Sequence, residues 1–348
     1  MIHLRHPVCL ALDNADKTTI YNLVKDAVSK YQRDISLIGC ILHESHDWKE
    51  AEDRQITHFK KACDHFRVAE NAIIVNDTYK QSRHKISLMP IYSINFFAVD
   101  CYYRTHYCDQ NINSSWNWNS SNPLFLTGKA EKINRIGLLA LLRNQGILEQ
   151  TTYSFFPCRS RIKETKKIYK KFTDYPFDKF CKNYTTSPDN ILVTDNENGS
   201  HYSGYPFCSS LYKNSLFSII SESNFDGFPI WLTEKTYKTI VNRHPFIMAG
   251  QPGTLKYLKE LGFYTFEEYC KIKNYNEISD TKKRLSAIVE NIKHVKNTLI
   301  ENRKKVNFEV NENYANLRRI FKKELESIEF FQDEYFFHNF FRRNMILN

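Results

Sequence analysis

At 348 residues, with 42% hydrophobic and 25% charged side chains, the chain is long enough for two domains with cores of their own, and its composition is that of an ordinary globular protein. No run reaches the roughly 20 apolar residues of a membrane span, and the start MIHLRHPVCLALDNAD turns charged too early for a secretory leader. A cytoplasmic protein with no integral membrane association is therefore expected, in a host cytoplasm if it is viral. The nine cysteines are scattered singly, without the CxxC pairs of a zinc site or the density of a disulfide scaffold, and read as reduced thiols. An excess of 49 Lys and Arg over 39 Asp and Glu gives a net +10, which suits a polyanionic partner and equally suits a lysine-rich surface with no target.

In chain order, strand candidates fall at Val8–Leu12, Ile35–Leu42, Ala72–Val75 and Ile86–Met89. Helix-compatible stretches at Lys17–Gln32 and Asp53–Arg67 separate them, an alternation that predicts a parallel α/β sheet. The polar joint NINSSWNWNSSN, Asn111 to Asn122, is the best boundary in the chain, so the first domain is expected over 1–120. The second domain, 123–278, opens with a strand over Pro123–Thr127, a Gly128-Lys129 turn, a helix over Asn134–Asn144 and a strand over Thr151–Phe156. Residues 158–212 are basic, aromatic and irregular in pattern, and read as an insertion or flap. The sheet resumes at Leu216–Ile220. A helix then opens at Thr233-Glu234-Lys235, with Tyr237, Ile240 and Val241 on one face. Phe246–Ala249 is a buried strand, Gly250-Gln251-Pro252-Gly253 forces a turn, and Thr254 is placed to cap the next helix. Residues 279–348 form a helical tail, expected to pack across both domains.

Helix starts that follow buried strands are anion sites, because their free N–H groups and dipole favour negative charge. Two occur in the second domain. At Gly128-Lys129 the glycine admits a phosphate that Lys129 or Arg135 neutralises, or the pair is an ordinary turn. At Thr233-Glu234-Lys235 the carboxylate can take both hydroxyls of a ribose while the ammonium reaches a diphosphate, or the acid merely complements the helix dipole. Neither GxGxxG nor GxxxxGK[ST] is present. In the first domain Asp13, Glu44, Asp47 and Asp100 follow strand candidates and are alternative proton acceptors, each of which is equally a cap or a solvated loop residue. His46 lies within the same HESHDW cluster; one His-x-x-His pair without further signature does not make a metal site, and no metal or cofactor is expected.

SIISESN followed by WLTEKTYKTIVNRHPFIMAG resembles the donor-binding core of the α-1,3-fucosyltransferase-like glycosyltransferases, in order and spacing as well as composition. In that family an apolar strand leads to a phenylalanine-glutamate-asparagine turn and then to a tyrosine-valine-threonine-glutamate-lysine helix start. PLFLTGKAEKINRIGLLALLRNQGIL and GQPGTLKYLKELGF look like the same set of phage and bacterial relatives, so that the likeness runs over about 123–266. It implies a GT-B fold, two Rossmann-like domains facing a cleft, with the second holding a nucleotide sugar. It places Glu234 on the donor ribose, Lys235 on the diphosphate and Arg135 near the phosphates, with Thr233 opening the helix and Glu222 and Asn224 in the turn toward sugar or base. Trp231 stands where the family has tyrosine, and Ser221-Glu222-Ser223-Asn224 replaces a tighter turn, which leaves GDP-fucose open as donor and favours a UDP-sugar. The function implied is sugar transfer from a nucleoside diphosphate to an acceptor hydroxyl. The charge and the basic segment with Arg159, Arg161, Lys163, Lys166, Lys167, Lys170 and Lys171, interleaved with Tyr169 and Phe172 as aromatics to hold or replace a base flipped from the stack, point to double-stranded DNA carrying hydroxymethylated pyrimidines. A surface glycan or lipopolysaccharide is the alternative acceptor, and a non-catalytic nucleic-acid-binding protein the alternative class.

Overall fold

A computed structural model describes residues 7–12, 15–31, 36–41, 48–68, 70–76, 91–94, 98, 101, 120, 122–129, 132–156, 161–186, 209–227 and 230–326. Residue contacts divide the chain into two compact units, Met1–Asp100 with Ile320–Asn348, and Cys101–Arg319. All of the joint Asn111–Asn122 but Ser120 and Asn122 lies outside the described residues. No described helix is long and apolar enough to cross a membrane.

In the first unit β1 (Pro7–Ala11), α1 (Lys17–Tyr31), β2 (Ser36–Ile41), α2 (Trp48–His65), β3 (Glu70–Asn76) and β4 (Ile91–Ile94) follow in order. The four strands pair in parallel in the order β1-β2-β3-β4. Successive crossovers that advance in one direction put their helices on one face of a sheet, and α1 and α2 do pack on each other. Val8, Leu10, Leu37 and Ile73 of the strands bury against Ile20, Val24, Ile56 and Phe59 of the helices. Each such side chain contributes on the order of 1.5–3 kcal/mol of burial. The candidate strand Ile86–Met89 lies outside the described residues, and the fourth strand is Ile91–Ile94.

The second unit holds β5 (Pro123–Lys129), α3 (Ile133–Asn144), β6 (Thr152–Phe156), α4 (Ile162–Tyr169), α5 (Phe177–Thr186), α6 (Ser209–Lys213), β7 (Phe217–Ser221), α7 (Glu234–Val241), β8 (Phe246–Ala249) and α8 (Thr254–Glu260). Two long helices follow, α9 (Thr281–Glu301) and α10 (Arg303–Glu326), the latter counted with the first unit from Ile320 onward. All strand pairs are again parallel, but the order is β6-β5-β7-β8. The chain steps from β5 to one side, returns across it, and continues to the other. Right-handed crossovers then place α3 and α7 on opposite faces. Helix α9 packs along α3 and β8. Gly137 makes the approach to α3 possible, since a Cβ there would lie 2.9 Å from Leu285 of α9.

Three local expectations are corrected. Gly128 and Lys129 are the last residues of β5 rather than a turn, and the ladder to β6 shifts register between Leu126 and Lys129. Thr254 is the first helical residue, not the cap; Gly253 holds the capping position at φ 85°, a left-handed conformation that favours glycine, while the Thr254 hydroxyl donates to the Gln251 carbonyl. The segment 158–212, read as irregular, holds α4, α5 and most of α6 among its described residues. Tyr169, Phe172, Phe177 and Phe180 are buried on its two longer helices and their connection, Phe180 edge-on to Phe155 of β6 at 5.0 Å. The lysines between them gave the stretch its loop-like pattern, but they lie mostly on the solvent side.

Candidate functional site

Neighbouring strands β5 and β7 send the chain in opposite directions, which opens a crevice at their carboxyl ends; ligands of open parallel sheets bind at such a switch point. Their ladder here is short, pairing only Pro123 with Phe217 and Leu124 with Ser218. Beyond it the two junctions, β5 to α3 and β7 to α7, are joined by side chains instead.

Glu222, directly after β7, is fully buried. Its carboxylate accepts from the Thr233 N–H at 3.1 Å, the Thr233 hydroxyl at 2.5 Å, the Thr236 hydroxyl and the Ser223 N–H at 3.3 Å. An acid here complements the positive end of α7 and satisfies a backbone donor that the helix leaves free. Thr233 caps the helix, its hydroxyl accepting from the Lys235 N–H. Glu222 thus braces the turn from within, its carboxylate spent on the helix start.

Glu234 and Lys235 open α7 and remain part-exposed, 27% and 22% by side chain, with Glu234 Oε1 and Lys235 Nζ 2.6 Å apart. Burial works to raise the Glu234 pKa, but the Lys235 and Lys238 ammoniums prevail and hold it well below the usual carboxylate range. Its other oxygen, Oε2, has no hydrogen-bond partner. Lys235 Nζ also reaches the Ser223 hydroxyl at 3.4 Å and that of Thr233 at 3.3 Å. A cation is thereby kept at the positive end of its own helix, against the dipole preference.

The facing junction is cationic as well. Lys132 occupies the cap position of α3 without a side-chain cap bond, and the first turn has no acidic residue. Lys132 Nζ donates to the Ser223 carbonyl at 2.6 Å, so the lysines of both helix starts converge on one buried serine. Asn134, 1% exposed, donates its amide nitrogen to Ser221 Oγ and to the Glu222 carbonyl, each at 2.8 Å. Arg135 is buried in the same turn. Lys132 and Asn134 escape a reading of the sequence because their partners lie 91 and 87 residues away.

Other predicted positions divide four ways. Asn224 and Trp231 are buried, the main-chain N–H of Trp231 donating to Gln251 Oε1 at 2.9 Å. Gly128 and Lys129 end β5 at the crevice. Asp13, Glu44, His46, Asp47, Asp100 and Arg159 lie outside the described residues. On the α4 side Arg161, Lys163, Lys167, Lys170 and Lys171 are exposed, Lys166 pairs with Asp178, and Tyr169 and Phe172 are core residues, unavailable to a base.

Sequence reasoning also missed Arg284, which is fully buried at the start of α9. Its guanidinium donates to the Phe225 and Ile278 carbonyls and to Asp226 Oδ1, at 2.5–2.6 Å, and lies over the Phe225 ring. It moors the turn after β7 to α9. In a run such as DTKKRL it is indistinguishable from a surface cation.

Fold and site together define a parallel α/β protein with charged side chains gathered at the topological switch point of its second sheet. Comparison with known protein families, with characterised proteins and with solved structures returned no match to this chain.

Proposed function

We propose that the second unit binds a nucleoside-diphosphate sugar, a UDP-sugar before a GDP-sugar, and that the protein is a GT-B glycosyltransferase acting on hydroxymethylated pyrimidines of double-stranded DNA. The observation that carries the reading is the placement of Thr233, Glu234 and Lys235 at the switch-point crevice, with a free carboxylate oxygen and an ammonium side by side. Glu234 takes the ribose hydroxyls and Lys235 the diphosphate, in keeping with the resemblance of this segment to nucleotide-sugar transferases.

In the transfer, the acceptor oxygen bonds to the anomeric carbon as the bond from that carbon to the diphosphate oxygen breaks. The hydroxyl proton passes to a base of the first unit, for which Asp13, Glu44, Asp47 and Asp100 are the candidates. The nucleoside diphosphate departs with its new negative charge, and the cations and free N–H groups at the crevice stabilise it. The exposed cations of α4 and the residues around it, Arg161, Lys163, Lys167, Lys170 and Lys171, suit a phosphate backbone.

The test is nucleoside mass spectrometry after incubation with hydroxymethylcytosine DNA or hydroxymethyluracil DNA and a mixture of UDP- and GDP-sugars. A hexose or pentose increment on either nucleoside is the expected result. Slow hydrolysis of one nucleotide sugar with no increment on DNA would keep the transferase and move the acceptor to a glycan. No turnover and no nucleotide-sugar binding would overturn the reading.

A further inference from the structure

The start of α3 breaks the usual charge rule for a helix. Lys132 holds its cap position, Arg135 lies in its first turn, and that turn itself contains no acidic residue. The ammonium of Lys132 reaches across to the Ser223 carbonyl, and that of Lys235 reaches the hydroxyl of the same residue. Two cations at the starts of two helices thus meet at one serine, Lys235 with Glu234 as its ion-pair partner, and a multiply charged anion at that point would touch both. A second feature is independent of charge. Because the Asn134 amide nitrogen donates to a main-chain carbonyl, the orientation of the amide is fixed, and its buried Oδ1 has no hydrogen-bond partner. An orphaned acceptor in the crevice calls for a donor from outside the protein.

Resting on the nucleotide-sugar reading of the α7 start, we infer that the α3 start is the other half of the same site: Lys132 and Lys235 clamp the diphosphate from two sides, and Asn134 Oδ1 accepts a hydroxyl of the ligand or the water that hydroxyl holds. The ligand class is a diphosphate ester bearing free hydroxyls, rather than a lone phosphate or a nucleoside.

Calorimetric titration of the full chain and of Lys132→Met with UDP, GDP and inorganic pyrophosphate tests the clamp. Methionine keeps the apolar stem at an exposed position, and melting temperature confirms folding. Lys132→Met is expected to lose about tenfold in affinity for the nucleoside diphosphate and for pyrophosphate, the worth of one charge-assisted hydrogen bond. Uridine or guanosine affinity is expected to stay unchanged, and the salt dependence of diphosphate binding to become shallower. If the native chain binds a nucleoside diphosphate and Lys132→Met binds it equally well, the clamp is wrong while the α7 site stands. If the native chain binds neither nucleoside diphosphate nor pyrophosphate, both fall together.

Discussion

Two junctions of the second sheet do the same structural task by different chemistry. Between β8 and α8 the turn is closed by neutral groups: Gln251 accepts from the Trp231 N–H and donates to the Gly227 carbonyl, and Asn276 accepts from the Leu255 N–H and donates to the Gln251 carbonyl. Between β7 and α7 the turn is closed by the Glu222 carboxylate, wholly removed from solvent, with Lys235 and Lys132 gathered beside it. Amides and a glycine suffice to turn a strand into a helix in this protein. At the other junction the Glu222 carboxylate takes that task, and the lysines gathered beside it add positive charge of the kind that a charged ligand requires.

The largest break of that contrast is Glu222→Ala, which strands two hydroxyls and two main-chain N–H groups; a loss of about 3–5 kcal/mol is expected, against about 1–2 kcal/mol for Gln251→Ala at the neutral junction. Chemical denaturation of both variants measures it, and equal losses would show that the two junctions are energetically alike.

Acid offers the next probe. His244 lies buried just before β8, Nε2 donating to the Ser215 carbonyl at 2.9 Å and Nδ1 accepting from the Ser218 hydroxyl at 2.8 Å. Burial pushes its pKa down from 6.5 to about 4, only partly offset by the Ser215 bond. The unfolded chain therefore takes up the proton first. The contribution is intact above pH 6.5 and is lost as pH falls toward 4, by about 3 kcal/mol in full. Stability against pH for the native chain and His244→Gln, which should show the smaller acid loss, checks the size and sign.

Lys235→Ala sharpens the contrast in function rather than folding. Transfer should fall roughly a hundredfold while stability changes by less than about 1 kcal/mol. Full activity in this variant would remove the donor site from α7. The smallest effect is expected at α4: replacing exposed Lys167 and Lys170 together with alanine should lower the slope of log DNA affinity against log salt by about 2, and an unchanged slope would move the nucleic-acid surface elsewhere.

Much of the second sheet is legible because its signals are local. The run FIMA is an uninterrupted apolar strand, and Thr233 caps α7 four residues ahead of a helical face at Tyr237, Ile240 and Val241, so periodicity and capping chemistry agree without help from distant residues. Aromatic spacing was the weaker guide. Tyr169 and Phe172 read as partners for a base, but the fold turns them inward beside Phe177 and Phe180.

From the sequence alone follow the alternation of strand and helix, the helix start at Glu234 and Lys235, and the basic character of the stretch around α4. All of these depend on residues within a turn or two of one another. Tertiary structure decided that Glu222 faces into the helix start, that Arg284 moors the turn after β7, and that Lys132 and Asn134 meet the end of β7 from nearly ninety residues away. Direction and partner at those positions depend on strand order, which reverses between β5 and β7, and a reversal of strand order leaves no local trace in the chain.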